Sequence, residues 1–319
     1  MRQHPWSRGA ALALLAAILA ATPALALFGR EKTVQTAPEG APIAKAITIA
    51  TYKNVPYTTQ FLAADNEGDP VTFALETEPK HGAVTIEGDT FTYAPAEGKT
   101  GRDVFTYTAT DEGGHCSLPA LVEVTVSRAK SPVTYADLDG SPAHAAAIHL
   151  AEEGIFTGSR VGEQYFFEPE RPVSRGEFLA MTLQTAELPP TEPVRLTGFA
   201  DDAAIPTWAK ATASAALQEG VVQGIATAEG VCFRATAPIT LGEAATMLDR
   251  VLAVSDVKLD AWYAGRDEVP AWAAQAVGNM ESVHVLAAGS FGGAVRQPVT
   301  RAEAAQMLSA ARTLLDGRQ

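Results

Sequence analysis

A six-residue pattern occurs three times, and it constrains this chain more than any other feature. It reads Pro172-Val173-Ser174-Arg175-Gly176-Glu177, then Pro238-Ile239-Thr240-Leu241-Gly242-Glu243, then Pro298-Val299-Thr300-Arg301-Ala302-Glu303. Each copy is Pro, a β-branched apolar residue, Ser or Thr, two variable positions and Glu. Ser/Thr-x-x-Glu ahead of an apolar run is a capping box. The hydroxyl accepts from the backbone N–H three residues on, and the carboxylate accepts from the cap residue's own N–H. The apolar residue before the cap can staple to the fourth helical position, as Val173 to Phe178. The pattern predicts helices at about 175–186, 241–252 and 301–315. The cap positions 174, 240 and 300 recur at intervals of 66 and 60 residues, which marks an internal repeat.

The residue after the cap is Arg in copies one and three. A cation in the first turn faces the positive end of the helix dipole and costs about 0.3–1 kcal/mol. Two readings follow. In one, the Arg is exposed and its stem covers apolar surface. In the other, it joins free N–H groups at the helix start in an anion site for a carboxylate or phosphate.

Charge excludes one class of partner. The chain has 24 Lys and Arg against 37 Asp and Glu, a net −13, with no basic cluster. Nucleic-acid backbones require clustered cations, so no nucleic-acid partner is expected. A mean hydropathy of +0.03 and 47% hydrophobic residues fit a globular chain. The N-terminus reads as a targeting segment. Arg2 and Arg8 precede an apolar run from Ala10 to Ala21, and Pro23-Ala24-Leu25-Ala26 ends in an Ala-x-Ala site. A signal peptide at 1–26 is expected, and its loss takes the net charge to −15. A retained anchor is the alternative, but the run is short for a span and Pro23 breaks it. No other stretch is expected to cross a bilayer. Cys116 and Cys232 fall in different expected domains. Two separate buried thiols are expected, with an inter-domain bridge as the alternative.

Residues 27–45 are polar and Pro-containing and read as a linker. Residues 46–128 then alternate with period two, at 47–51, 71–75, 83–86, 90–93, 104–108 and 122–126. These runs are rich in Val, Thr, Phe and Tyr and are separated by turns such as Asn66-Glu67-Gly68-Asp69-Pro70 and Glu87-Gly88-Asp89. Six or seven short strands at this spacing predict an all-β sandwich. Asp65-x-Glu67-Gly68-Asp69-Pro70, Pro79-Lys80-His81-Gly82, Phe91-Thr92-Tyr93-x-Pro95 and Gly101-x-Asp103-x-Phe105-x-Tyr107-x-x-x-Asp111 resemble bacterial Ig-like, cadherin-like domains. The resemblance implies a spacer or adhesive module, with a protein partner as one expectation. Asp65, Glu67, Asp69, Asp103 and Asp111 are candidate oxygen ligands for Ca²⁺, against the plainer reading that they form turns. No other cofactor is expected.

After a short linker the period changes to that of helices, over expected repeats at 133–188, 196–254 and 259–315. Each unit reads as helix, Gly-rich turn, short extended piece, helix. Repeat one runs from Tyr135-Ala136-Asp137 through Glu153-Gly154-Ile155-x-x-Gly158 and Phe167-Glu168-Pro169 to its box. Repeat two runs from Phe199-Ala200-Asp201 and Pro206-Thr207-Trp208-Ala209 through Glu219-Gly220-Val221-Val222-x-Gly224 and Phe233. Repeat three has Asp267 and Pro270-Ala271-Trp272-Ala273. Gly154 and Gly220 stand where a helix end needs a left-handed residue.

These features, with Val299-Thr300-Arg301-Ala302-Glu303 as the nearest copy, resemble S-layer homology repeats over about residues 133–315. The resemblance implies a mainly α, pseudo-threefold bundle whose grooves bind secondary cell-wall polysaccharide, often pyruvylated, at the surface of Gram-positive bacteria. It places Arg175, Arg301, Trp208, Trp272, Asp137, Asp201 and Asp267 in glycan binding, and the ketal pyruvate supplies a carboxylate for the Arg. Copy two departs from the pattern with Leu241 in the Arg position, copy one with Pro142 in the Trp position, and copy three with His284 and Ala288 in place of the Gly pair. Core packing between repeats is the plainer reading of the two Trp residues.

The chain has no Gly-rich phosphate loop, His-Glu-x-x-His, Cys-x-x-Cys or Gly-x-Ser-x-Gly, and His144 and His149 are five apart, off a shared helix face. The two kinds of domain fill nearly all of the expected mature chain, so no enzymatic activity is expected. The expectation is a secreted, wall-anchored surface protein of the S-layer type. The alternative is an adhesive envelope protein whose repeats assemble with protein. Removing Arg301 is expected to weaken wall binding and hardly change folding.

Overall fold

The computed structural model describes residues 37–66, 68–188, 190, 192–262, 270–287 and 292–318. The expected leader, residues 27–36 of the expected linker, Glu67, Asp267 and Ala288 lie outside the described residues. Among those described, no helix is long and apolar enough to cross a membrane.

The alternating runs form a β-rich first half. Its strands are β1 (Ile43–Ala44), β2 (Ile47–Tyr52), β3 (Tyr57–Gln60), β4 (Ala63–Ala64), β5 (Thr72–Thr77), β6 (Gly82–Glu87), β7 (Thr90–Pro95), β8 (Gly101–Thr110) and β9 (Ala120–Ser127). A four-stranded sheet in the order β2-β9-β8-β5 faces a three-stranded sheet, β3-β7-β6. β2 runs parallel to β9, with Ile47 opposite Val122, and β8 runs antiparallel to both β9 and β5. Every second residue of β9 is buried, which is what a strand with one covered face requires. Phe61, Phe91, Tyr93, Phe105 and Tyr107 fill the space between the sheets. Burying each such ring contributes about 1.5–3 kcal/mol.

Two strand assignments differ from expectation. β1 pairs with β4, so the expected linker ends before Ile43. β3 (Tyr-Thr-Thr-Gln) carries no apolar alternation, and all four of its residues are half-buried; pairing with β7 makes it a strand.

The second half is helical: α1 (His144–Glu152), the hairpin β10 (Ser159–Val161) and β11 (Gln164–Phe166), and α2 (Arg175–Thr185). Then come α3 (Thr207–Gln218), the hairpin β12 (Ile225–Thr227) and β13 (Gly230–Cys232), and α4 (Leu241–Leu252). The last elements are α5 (Leu259–Trp262), α6 (Ala271–Ser282) and α7 (Arg301–Asp316). All three capping boxes are formed in both directions, at Ser174/Glu177, Thr240/Glu243 and Thr300/Glu303.

The residues before the caps meet one another. Val173 N–H donates to Val299 O, Val299 N–H to Ile239 O, and Ile239 N–H to Val173 O, each at 2.9 Å. The ring closes on itself, and all three side chains are buried in one core. Helix ends follow the expectation at Gly154 (φ 67°) and Gly220 (φ 74°); repeat three puts His284 into the same region at φ 58°.

The two halves are docked. Val55 belongs to the helical core, and Tyr52 and Tyr57 pack against it. Tyr52 Oη donates to Glu152 Oε2 at 2.9 Å, and Glu152 Oε1 accepts from the N–H groups of Lys130 and Ser131. Both cysteines are free thiols. Cys232 is buried as expected; Cys116 is exposed, because it lies on the turn between β8 and β9 rather than on an inward strand position.

Candidate functional site

The helix starts are not open anion sites. Arg175 N–H donates to Ala237 O (2.9 Å) and Gly176 N–H to Ala235 O (2.8 Å). Arg301 N–H donates to Arg171 O (2.9 Å) and Ala302 N–H to Pro169 O (3.0 Å). The third N–H of each helix goes to the cap hydroxyl, at 3.2 Å for Glu177 and 3.3 Å for Glu303. The first-turn donors are therefore taken by the neighbouring repeat and the box, which corrects the reading of free N–H groups.

Neither Arg is exposed. Arg175 and Arg301 retain 6% and 7% of their surface. Arg301 Nη1 donates to Phe167 O at 2.7 Å and lies 3.3 Å from Glu168 Oε2, with its guanidinium 5.0 Å from the Phe156 ring centre. Arg175 Nε donates to Phe233 O at 2.9 Å, Nη1 lies 2.9 Å from Glu243 Oε1, and the Phe233 ring is 5.5 Å away. Each Arg thus ties its own helix start to the hairpin exit of a different repeat, accepting the dipole conflict in exchange for a charge-assisted bond to a buried carbonyl. Burial and the nearby Arg171 push the Arg301 pKa down, against the opposing pull of Glu168, Glu177 and Asp137. It stays charged, as an Arg does.

The aspartates also serve the backbone. Asp137 accepts from the N–H groups of Phe167 (2.9 Å) and Glu168 (2.7 Å), and Asp201 from those of Phe233 and Arg234, both at 2.8 Å. Glu168 and Arg234 are left-handed, at φ 56° and 58°, and these carboxylates hold that turn. This fixes the Phe carbonyls on which the two Arg residues rest. Both aspartates anchor the hairpin exit. Asp267 lies outside the described residues.

The tryptophans differ from core residues. Trp208 is 56% exposed and Trp272 is 53% exposed, which corrects the core-packing reading. Each ring tip sits over a glycine of a box. A Cβ on Gly176 would meet Trp208 at 3.3 Å, and one on Gly242 would meet Trp272 at 2.7 Å. The box glycines are what let the rings approach α2 and α4.

Trp208 borders a groove of about 380 Å³. Its walls are the turn after α1 (Gly154, Ile155, Phe156), one face of α2 (Glu177, Ala180, Met181, Gln184), Trp208 from α3, and Arg301 from α7. Arg301 therefore shares a groove with Trp208 of repeat two, not with Trp272 of its own repeat. Sequence reading missed Phe156, Glu168 and Arg171, which surround the Arg301 head. They lie outside the box, and the one local signal was the place of Arg171 directly before Pro172.

Three of the calcium candidates, Asp65, Asp103 and Asp111, accept from backbone N–H donors. Asp103 accepts from Lys80, His81 and Val104 N–H and from Tyr93 Oη. Asp111 accepts from His115 N–H and lies 3.0 Å from His115 Nδ1. Asp65 accepts from Asp69 N–H. Among the described residues, no group of three His, Cys, Asp or Glu side chains is placed to hold a metal ion.

A family model for a bacterial Ig domain matches residues 39–125, and no S-layer homology domain is detected. No curated protein matches the chain. Similar solved structures include an endo-fucoidan hydrolase of glycoside hydrolase family 107, at 19% identity and TM-score 0.25, covering 33% of this chain and 16% of that one. A putative α-galactosidase/melibiase from Bacteroides fragilis is 12% identical, with TM-score 0.23, covering 27% of this chain and 18% of that one. The fibronectin(III)-like modules of Clostridium thermocellum CbhA are 18% identical, with TM-score 0.21, covering 30% of this chain and 51% of that one. The chain thus spans a small part of the hydrolases it matches. The presence of glycoside hydrolases among these neighbours corrects the expectation that the chain is not an enzyme, and that expectation is withdrawn. At these TM-scores the likeness assigns no activity either, so enzymatic nature is not established.

Proposed function

We propose that the helical repeats are S-layer homology-like and bind an envelope polysaccharide of the Gram-positive wall, with the bacterial Ig domain as a spacer or adhesive module on a secreted, surface-held protein. The observation that carries this reading is the half-exposed Trp208 ring, held over Gly176 along a groove of about 380 Å³. An exposed indole face against a polar-rimmed groove suits stacking on a sugar ring, with Gln184 and Glu177 in reach for hydroxyl groups.

The test is sedimentation of the mature protein with purified walls, before and after chemical removal of the non-peptidoglycan polymer. The parent pellets with intact walls and stays in solution with stripped ones, and Trp208→Ala stays in solution with both. Equal pelleting of parent and Trp208→Ala overturns the reading. One observation favours assembly with protein instead: both box Arg residues are engaged inside the fold, and Leu241 replaces the third. Pelleting that survives polymer removal supports that second reading.

A further inference from the structure

Glu152 ends α1 and also holds the β domain. One carboxylate oxygen accepts from the Tyr52 hydroxyl at 2.9 Å, and the other accepts from the N–H groups of Lys130 and Ser131. Burial and this carboxylate push the Tyr52 pKa up, so the hydroxyl keeps its proton and donates. The turn between β2 and β3 that makes the contact is built by its own domain. Thr51 Oγ1 donates to Val55 O at 2.8 Å and Val55 N–H to Tyr52 O at 2.9 Å. Asn54, left-handed at φ 63°, accepts from Gly98 N–H at 2.7 Å. The turn is thus fixed without the repeats, and it sets Val55 into the helical core, with Tyr52 and Tyr57 packed beside it.

The residues that follow Glu152 are groove wall. Gly154, Ile155 and Phe156 line the groove, and the N–H groups of Ile155 and Phe156 donate to Leu150 O at 2.9 and 3.3 Å. Glu153 Oε2 lies 3.3 Å from Arg312 Nε. The end of α1 is therefore held by α7 through Glu153 and by the β domain through Glu152. Two residues before the helix-end position, repeat two has Gln218 and repeat three has Ser282, so this carboxylate belongs to repeat one alone.

We propose that the β domain is a clamp on the groove. Docked through Val55 and the Tyr52–Glu152 bond, it fixes the turn at 154–156 that walls the groove, and undocking loosens that wall. By linkage, a ligand in the groove favours the docked state by the same factor. Only this effect on ligand rests on the carbohydrate reading above.

Hydrogen exchange at the Ile155 and Phe156 N–H groups of the mature chain tests the clamp. The Val222 N–H of repeat two, which donates to Ala216 O at 3.2 Å, is the internal control. Tyr52→Phe keeps the ring and removes the donor. Exchange at 155 and 156 rises about tenfold, the scale of one bond to a charged group, and Val222 is unchanged. Unchanged exchange at 155 and 156 overturns the proposal, as does an equal rise at Val222. Val55→Asp places a charge in the docking contact. Small-angle scattering then gives a larger radius of gyration, and the half-saturating amount of purified wall rises at least about fivefold, the low end of ordinary coupling between sites. Equal pelleting of parent and Val55→Asp overturns the proposal and leaves the carbohydrate reading standing. If the parent itself does not pellet with intact walls, the carbohydrate reading falls, and exchange at Ile155 and Phe156 still decides the clamp.

Discussion

Arg301→Ala gives the sharpest test of the inter-repeat architecture. The substitution removes the donor to Phe167 O, a buried contact of 2.7 Å between residues 134 apart in sequence. Losing a bond with a charged donor, and leaving a buried carbonyl unpaired, costs about 1.5–3 kcal/mol. The guanidinium also lies 5.0 Å from the Phe156 ring centre, and such a contact contributes about 0.5–1 kcal/mol. Against this, removing a cation from a first helical turn returns about 0.3–1 kcal/mol. The net loss is about 1–4 kcal/mol, since the bond and ring terms together exceed the dipole term. For a helical unit of this size that corresponds to a fall in Tm of about 2–15 °C. Calorimetry or circular dichroism at 222 nm, roughly the helix band, reads it directly. Arg175→Ala should fall by a similar amount, because Phe233 O and Glu243 lose the matching partners. A Tm within about 1 °C of the parent in both variants would refute the staple and restore the expectation that these residues serve binding alone.

Three further outcomes follow from the same geometry. Ser174→Ala, Thr240→Ala and Thr300→Ala should each lower stability by about 0.5–2 kcal/mol in denaturant unfolding, because all three boxes are formed. Asp137→Ala and Asp201→Ala should each cost about 1–3 kcal/mol by the same measure, since two N–H groups at a left-handed turn lose their acceptor; Asp137→Asn should recover only part, as it accepts through one oxygen. Asp103 makes the β domain acid-sensitive. Burial opposes its charge, but the N–H groups of Lys80, His81 and Val104 and the Tyr93 hydroxyl outweigh that and hold its pKa below the ordinary 3.8. A depressed folded pKa gives stability that is present above 3.8 and is lost as pH falls through the folded value. Acid unfolding followed by Tyr fluorescence should show that loss in the parent and a flatter profile in Asp103→Asn, which starts less stable at neutral pH.

Much of this architecture was legible because its signals are local. Period-two alternation at 47–51 or 122–126 follows from side chains pointing to opposite faces, and the capping boxes use residues three apart. Both act within a few residues, so the chain alone determines β2, β9 and the starts of α2, α4 and α7. β3 was not legible, because Tyr57-Thr58-Thr59-Gln60 becomes a strand only through pairing with β7.

The site belongs to the other category. The sequence supplied Trp208 and Arg301 as candidates, but it did not show that they face one groove across a repeat boundary. Nor did it show that Arg301 would be spent on Phe167 O and Asp137 on two backbone N–H groups. An N–H at a helix start or a carboxylate after an aromatic residue has the same local sequence whether it is free or paired. Its partner is set by the closed ring of Val173, Ile239 and Val299, which brings each hairpin exit against another repeat's helix start. Burial then decides the rest: a guanidinium enclosed beside Phe156 must satisfy the carbonyl it covers, while Arg171, half in water, rests on the side chains of Glu168 and Glu177.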